Sequence, residues 1–221
     1  MAKLGIIILG QTPRPDVLAT YARFAPRARL LTKGALDGLM ESEIDRLAEQ
    51  DGEYPLLVIL RDGSTREISM SLLKPLLEQV AKDLAQEGAA SAVLFCAGNF
   101  PDLKSPIPIV YPGRVVPAVA ASLCTTQKIA LITPNPGQAE PAKAHWQAKG
   151  FEVMVEVASP KDEAAFFAAA QKLNNPEFDL LVLDCMGFSP DMAQAIRKSH
   201  LKPVICPQSL VARVAAELAG E

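Results

Sequence analysis

Cys96-Ala-Gly-Asn-Phe-Pro-Asp-Leu103 and Cys185-Met-Gly-Phe-Ser-Pro-Asp-Met192 share one layout, with cysteine, glycine, proline and aspartate at identical offsets 89 residues apart. Each follows an apolar run that reads as a buried strand, Ala92-Val-Leu-Phe95 and Leu180-Leu-Val-Leu183. Two cysteines on opposite sides of one carbon can do proton chemistry without a cofactor. A thiolate takes a proton from a carbon next to a carboxylate, and the opposite thiol returns one. A free thiol titrates near about 8.5, and backbone N–H groups or a helix N-terminus draw it toward neutrality. Gly98 and Gly187, two positions past the cysteines, let the backbone approach a ligand and present N–H groups to an anion. In open α/β sheets ligands bind beyond the C-terminal strand ends, where both cysteines fall. Cys96 and Cys185 are therefore the candidate acid/base pair; the alternative for each is a small hydrophobe in the core.

Other residues could hold the substrate. Arg14 lies in the Pro-rich turn Gly10-Gln-Thr-Pro-Arg-Pro-Asp16, where its fork suits a carboxylate. Gln11 and Thr12 offer polar groups from the same turn. Thr133, Asn135 and Gln138 occupy the equivalent turn of the second half, and Asn99 and Ser189 lie inside the cysteine loops. Arg114 is a further candidate cation. Asp184 interrupts an apolar strand just before Cys185 and, as a buried carboxylate, needs partners; anchoring the loop and tuning the thiol are both open. Asp102 and Asp191 suit helix caps or first turns. Cys124 and Cys206 read as packing residues, and His145 and His200 as surface or capping residues without metal-ligand spacing. No metal site is expected, and neither Gly-x-Ser-x-Gly nor Cys-x-x-Cys occurs. The turn at Gly10 also lacks the glycine pattern of a dinucleotide or phosphate loop.

The elements that position these loops follow from periodicity. Strands are expected near 3–10, 56–60, 66–70, 91–95, 108–112, 128–133, 151–157, 179–183 and 203–206, with a further short strand and an amphipathic helix within 30–49. Helices are expected at 17–24, 71–87, 115–123, 139–149, 161–173, 190–199 and 208–219. Asp62-Gly63 marks a hairpin. Alternating strands and helices predict parallel sheets covered on both faces. The repeat extends past the cysteines: Pro108-Ile-Val-Tyr-Pro112 matches Pro203-Val-Ile-Cys-Pro207. The expected class is α/β, with two similar three-layer lobes related by pseudo-twofold duplication and an active site between them. The first lobe is 1–112, an inter-lobe helix and hinge 113–127, the second lobe 128–206, and a C-terminal helix at 207–221 packs back on the first lobe.

The 221-residue chain is 49% hydrophobic and 21% charged, with net charge −3. That balance gives phosphate no concentrated positive surface, so nucleic acid is not an expected partner. No apolar run approaches membrane-span length. Lys3 is followed by a short strand-like run rather than a leader, so a cytoplasmic protein with reduced cysteines is expected. A homodimer is compatible with the sequence.

The turn 10–16, the segment Leu183-Asp-Cys-Met-Gly-Phe188 and the C-terminal Pro-x-x-x-Pro-x-x-x-Val-Ala-Arg-x-Ala-Ala-Glu-Leu pattern resemble the AroM protein family across nearly the whole chain. More distantly the arrangement is similar to the aspartate/glutamate/hydantoin racemase superfamily. That resemblance implies two α/β lobes with one cysteine from each, no cofactor, and Cys96 and Cys185 as first-lobe and second-lobe acid/base. Where those enzymes follow the first cysteine with Asn-Thr and the second with Thr, this chain has Ala97-Gly98 and Met186-Gly187. The substrate-holding donors then shift to Asn99, Ser189, Thr12 or Arg14. The expected function is a cofactor-independent isomerase or racemase acting on a small carboxylate. The alternatives are a related decarboxylase or lyase working with one cysteine, or a non-catalytic small-carboxylate-binding protein.

Overall fold

A computed structural model describes residues 2–52 and 54–220. The chain divides into two compact units. The first comprises the chain up to Cys96, Phe100–Tyr111 and the segment from Ala212 on; the second comprises Ala97–Asn99 and Pro112–Val211.

The first unit is built on a parallel sheet of β1 (Lys3–Ile8), β2 (Arg29–Gly34), β5 (Ser91–Leu94) and β6 (Ile109–Val110), in the order β2-β1-β5-β6. Ile6, Ile7 and Ile8 of β1 and all four residues of β5 are buried, as a central parallel strand covered on both faces demands. Helix α1 (Pro15–Phe24) starts on a proline, whose missing N–H costs nothing at that position, and buries Val17, Thr20 and Tyr21. Helix α2 (Glu41–Ala48) buries Ile44, and α3 (Met70–Gln86) presents Leu73, Leu77, Val80, Ala81 and Leu84 at helical spacing to the core. Between them an antiparallel hairpin, β3 (Pro55–Ile59) and β4 (Thr65–Ser69), turns at Asp62-Gly63, where Gly63 takes φ +87°.

The second unit repeats the plan. Its strands β7 (Lys128–Thr133), β8 (Glu152–Val157), β9 (Leu180–Leu183) and β10 (Val204–Ile205) are parallel in the order β8-β7-β9-β10, matching β2-β1-β5-β6 strand for strand. Helices α4 (Pro112–Leu123), α5 (Ala139–Gln147), α6 (Glu163–Lys172) and α7 (Pro190–Arg197) accompany it, and α8 (Pro207–Leu218) closes the chain. Phe166, Phe188, Leu181, Leu183 and Ile132 form its core. The inserted hairpin has no counterpart here. Among the described residues no helix is long and apolar enough to cross a membrane.

Gly10 ends the run from β1 against the backbone of Ile59, leaving no space for a Cβ. Gly10→Ala should therefore lower unfolding free energy by about 2 kcal/mol, because backbone rather than a flexible side chain must move. Gly38→Ala, which would meet nothing within 4 Å, should stay within about 0.5 kcal/mol of the parent in the same urea titration.

Candidate active site

The two cysteine turns are built alike. In each, the residue before the cysteine donates its N–H to the central strand of its sheet: Phe95 N to Ile7 O at 2.9 Å, Asp184 N to Ile132 O at 2.8 Å. The cysteine N–H then turns back on its own strand, Cys96 N to Leu94 O at 2.8 Å and Cys185 N to Leu183 O at 2.7 Å. This tight three-residue reversal stops the ladder and lifts the following residues off the sheet end. Both cysteines are half-buried reduced thiols, each packed against its own unit's core.

In the first unit, the turn after β1 is held mostly by its own protein. Asp37 accepts from Thr12 N at 2.6 Å, Thr12 Oγ1 at 2.8 Å and Gly34 N at 2.7 Å. Gln11 donates to the Leu36 and Leu39 carbonyls and accepts from Arg61 N, while Arg61 Nε donates to Thr12 O. The polar groups of Gln11 and Thr12 thus shape the turn. Arg14 projects from it: its guanidinium lies 5.9 Å from the Phe95 ring centroid and makes a two-point pair with Asp16 through Nε at 2.9 Å and Nη2 at 2.6 Å. Hydrogen bonding to Arg14 holds the Asp16 carboxyl below its ordinary pKa against the cost of burial. Arg14 therefore lies against the ring of the residue that precedes Cys96, with its fork already engaged by a carboxylate.

In the second unit, Gly187 N donates to Cys185 Sγ at 3.3 Å, a contact that favours the thiolate. Ser189 caps α7 by accepting from Met192 N, and Asn135 accepts from Gln138 N in the short 3-10 turn Pro136–Gln138. Thr133, at the end of β7, is fully buried, and its hydroxyl has no hydrogen-bond partner among the described residues. Gly98 and exposed Asn99 belong to this unit, where the Gly98 carbonyl lies against Gly113 of α4. Cys206 is buried in the core and donates to Phe188 O. Burial and the neighbouring Asp179 carboxylate push the Cys124 thiol up to about 11.

Asp184 faces a crevice too tight for a water molecule, lined by Ala97, Pro112, Gly113, Val116, Pro117, His145, Trp146 and Pro207. Burial pushes its carboxyl up to about 6; the Trp146 indole N–H opposes that shift without reaching full hydrogen-bond geometry. Burial also keeps His145 below its ordinary value, and its Nε2 has no hydrogen-bond partner among the described residues. Trp146 was not legible as a site residue from its own position. The signal lay in the repeat: Ile132 lies 125 residues after Ile7, and the same offset takes Tyr21 of α1 to Trp146 of α5. Among the described residues, no group of three or more His, Cys, Asp or Glu side chains is placed to hold a metal.

The AroM protein model matches residues 4–219. The chain belongs to the AroM protein family. No curated protein matches it in sequence. Solved structures with the same fold include allantoin racemase from Klebsiella pneumoniae, at TM-score 0.66 and 13% identity over 100% of this chain and 88% of that one. An arylmalonate decarboxylase superposes at TM-score 0.65 with 16% identity over 99% and 92%. Maleate isomerase Iso from Pseudomonas putida S16 gives 0.66 with 10% identity over 96% and 90%. The two-unit α/β architecture of this AroM chain is thus that of racemase-type folds.

The Asp184 carboxyl in the AroM chain binds its proton up to about pH 6 when folded but only to about 3.8 when unfolded. The native state holds more protons between those values, so stability is lost as pH rises through that window. Asp184→Asn removes the effect, and its stability gain over the parent should grow by about 2 kcal/mol between pH 4 and 7 in denaturant titrations.

Proposed function

We propose that this AroM-family protein is a cofactor-independent isomerase or racemase, in which Cys96 and Cys185 exchange a proton with the acidic carbon of one small carboxylate. The observation that carries the reading is the identical backbone construction of the two cysteine turns, each at the C-terminal end of an equivalent strand. Packing requires a small side chain at such a place, not a thiol in both copies. The fold shared with a racemase, an isomerase and a decarboxylase supports the same chemistry. The substrate carboxylate would exchange with Asp16 on the Arg14 fork, while Gly98, Asn99, Gly187 and Ser189 supply backbone and side-chain donors from the loops. Thr133, with its unpartnered hydroxyl, and Asn135 complete the proposed binding set.

The reaction balances without a further reagent. One thiolate takes the proton from the carbon next to the carboxylate, the electron pair spreads into an enediolate, and the second thiol protonates the carbon from the other side. A decarboxylase is the second reading, favoured by the Gly187 N–H on Cys185 Sγ, a donor that stabilises the thiolate left when that thiol gives up its proton. Loss of carbon dioxide from a substrate with two carboxylates on that carbon would then create the enediolate in place of proton removal, and Cys185 would protonate it.

The test is solvent deuterium uptake at the acidic carbon across a panel of small carboxylates. Cys96→Ser and Cys185→Ser should each reduce uptake by at least about 100-fold. Exchange that persists with both thiols removed would overturn the residue assignment. Carbon dioxide release that needs only Cys185 would select the decarboxylase.

A further inference from the structure

Gly187 is a glycine that its own backbone does not ask for. Its φ lies outside the left-handed region, so other residues could adopt the same conformation. The reason for the missing side chain is local crowding. A Cβ at 187 would come within 3.2 Å of Pro160 Cγ and 3.4 Å of Cys185 Sγ. The same glycine donates its N–H to that sulfur at 3.3 Å. Gly187 is thus wedged between the thiol and a proline from the loop after β8.

That proline is firmly held. Asp162 N donates to Ser159 O at 3.0 Å, closing a turn with Pro160 at its second place, where a ring-fixed φ fits. Ser159 Oγ accepts from Lys161 N at 3.2 Å, and Asp162 caps α6 by accepting from Ala165 N at 3.0 Å. The first unit uses the equivalent place differently. Ala35 and Ala158 both donate their N–H to the central strand, at Ile8 and Thr133, each at 2.9 Å. Two residues on stand Asp37 and Pro160. Asp37 spends its oxygens on Thr12 and Gly34, bracing the turn after β1, whereas Pro160 lies against the cysteine turn of its own unit. The shared backbone plan therefore does not require a proline there.

We propose that Pro160 is a positioning residue for Cys185: its ring closes on the bare Gly187 and holds that N–H on the sulfur. This deepens the proton-transfer reading above and rests on it for its part in turnover. A sulfur whose donor cannot drift keeps one direction, as proton transfer to carbon demands. When Cys185 gives its proton to carbon, the S–H bond breaks as the C–H bond forms. The charge left on sulfur is met by an N–H already in place.

The experiment is a double-variant cycle read by the pH midpoint of iodoacetamide alkylation of each thiol, resolved by peptide mass spectrometry on the whole chain. Gly187→Ala, whose methyl must push the ring or the sulfur aside, should raise the Cys185 midpoint by about half a pH unit. Pro160→Ala, which frees Gly187 to drift, should raise it by about 0.3. In the double variant the new methyl takes the space of the lost ring, and the midpoint should return to within about 0.2 of the parent. The Cys96 midpoint should stay in place throughout. Should Gly187→Ala not fold, Pro160→Ala compared with the double variant carries the same test. A Cys185 midpoint that the single variants leave unchanged or lower, a double variant that does not return, or a parallel shift of Cys96 overturns the assignment. Deuterium uptake that survives Cys185→Ser, with the cycle as expected, would sink the proposed function and leave the clamp of Pro160 on Gly187 intact.

Discussion

Two backbone hydrogen bonds, Phe95 N to Ile7 O and Asp184 N to Ile132 O, decide where each sheet stops and each cysteine begins. One residue further on, the cysteine N–H can no longer reach the neighbouring strand and closes on its own chain instead. A buried amide without a partner is costly, so this switch of acceptor is obligatory once the ladder ends. It places a thiol just beyond a strand buried on both faces, with its backbone fixed by the most rigid part of the unit. Precision of that kind is what proton transfer to carbon asks of a site.

The loops around this frame are braced largely from within. Asp37 gathers three donors from two segments and fixes the turn after β1, and Gln11 and Arg61 tie that turn to the hairpin. Arg14 is the cation that this bracing leaves over the Phe95 ring, 15% exposed at its side chain and engaged with Asp16. A guanidinium already holding a carboxylate is geometrically prepared for another, with the intramolecular partner as competitor. Ser189 and Asn135 also accept backbone N–H groups as helix and turn caps.

Much of this architecture was legible in the sequence because its signals are local. Apolar runs such as Leu180–Leu183 are too short for anything but buried strands, and the Leu spacing of 72–84 admits only a helix. Proline at Pro15, Pro112, Pro190 and Pro207 marks helix starts. The repeated Cys-x-Gly layout located both turns. The partners of polar side chains were not legible, since they lie tens of residues away. Nothing local says that Gln11 caps the Leu36 and Leu39 carbonyls, that Thr12 is held by Asp37, or that Trp146 faces Asp184. His145 reads as a surface residue from its amphipathic helix, yet its ring borders the crevice because α5 stands where α1 stands in the first unit. Such pairings are set by sheet order, a non-local property that periodicity does not encode.

The acceptor switch at the strand ends involves main-chain atoms alone, and that has an evolutionary consequence. Because the same backbone plan stands in both units, the side chain ahead of each thiol is exchangeable without disturbing it. A ring stands in one copy and an acid in the other. Two copies of one turn can thereby diverge by single substitutions at that position, each tolerated by the same backbone.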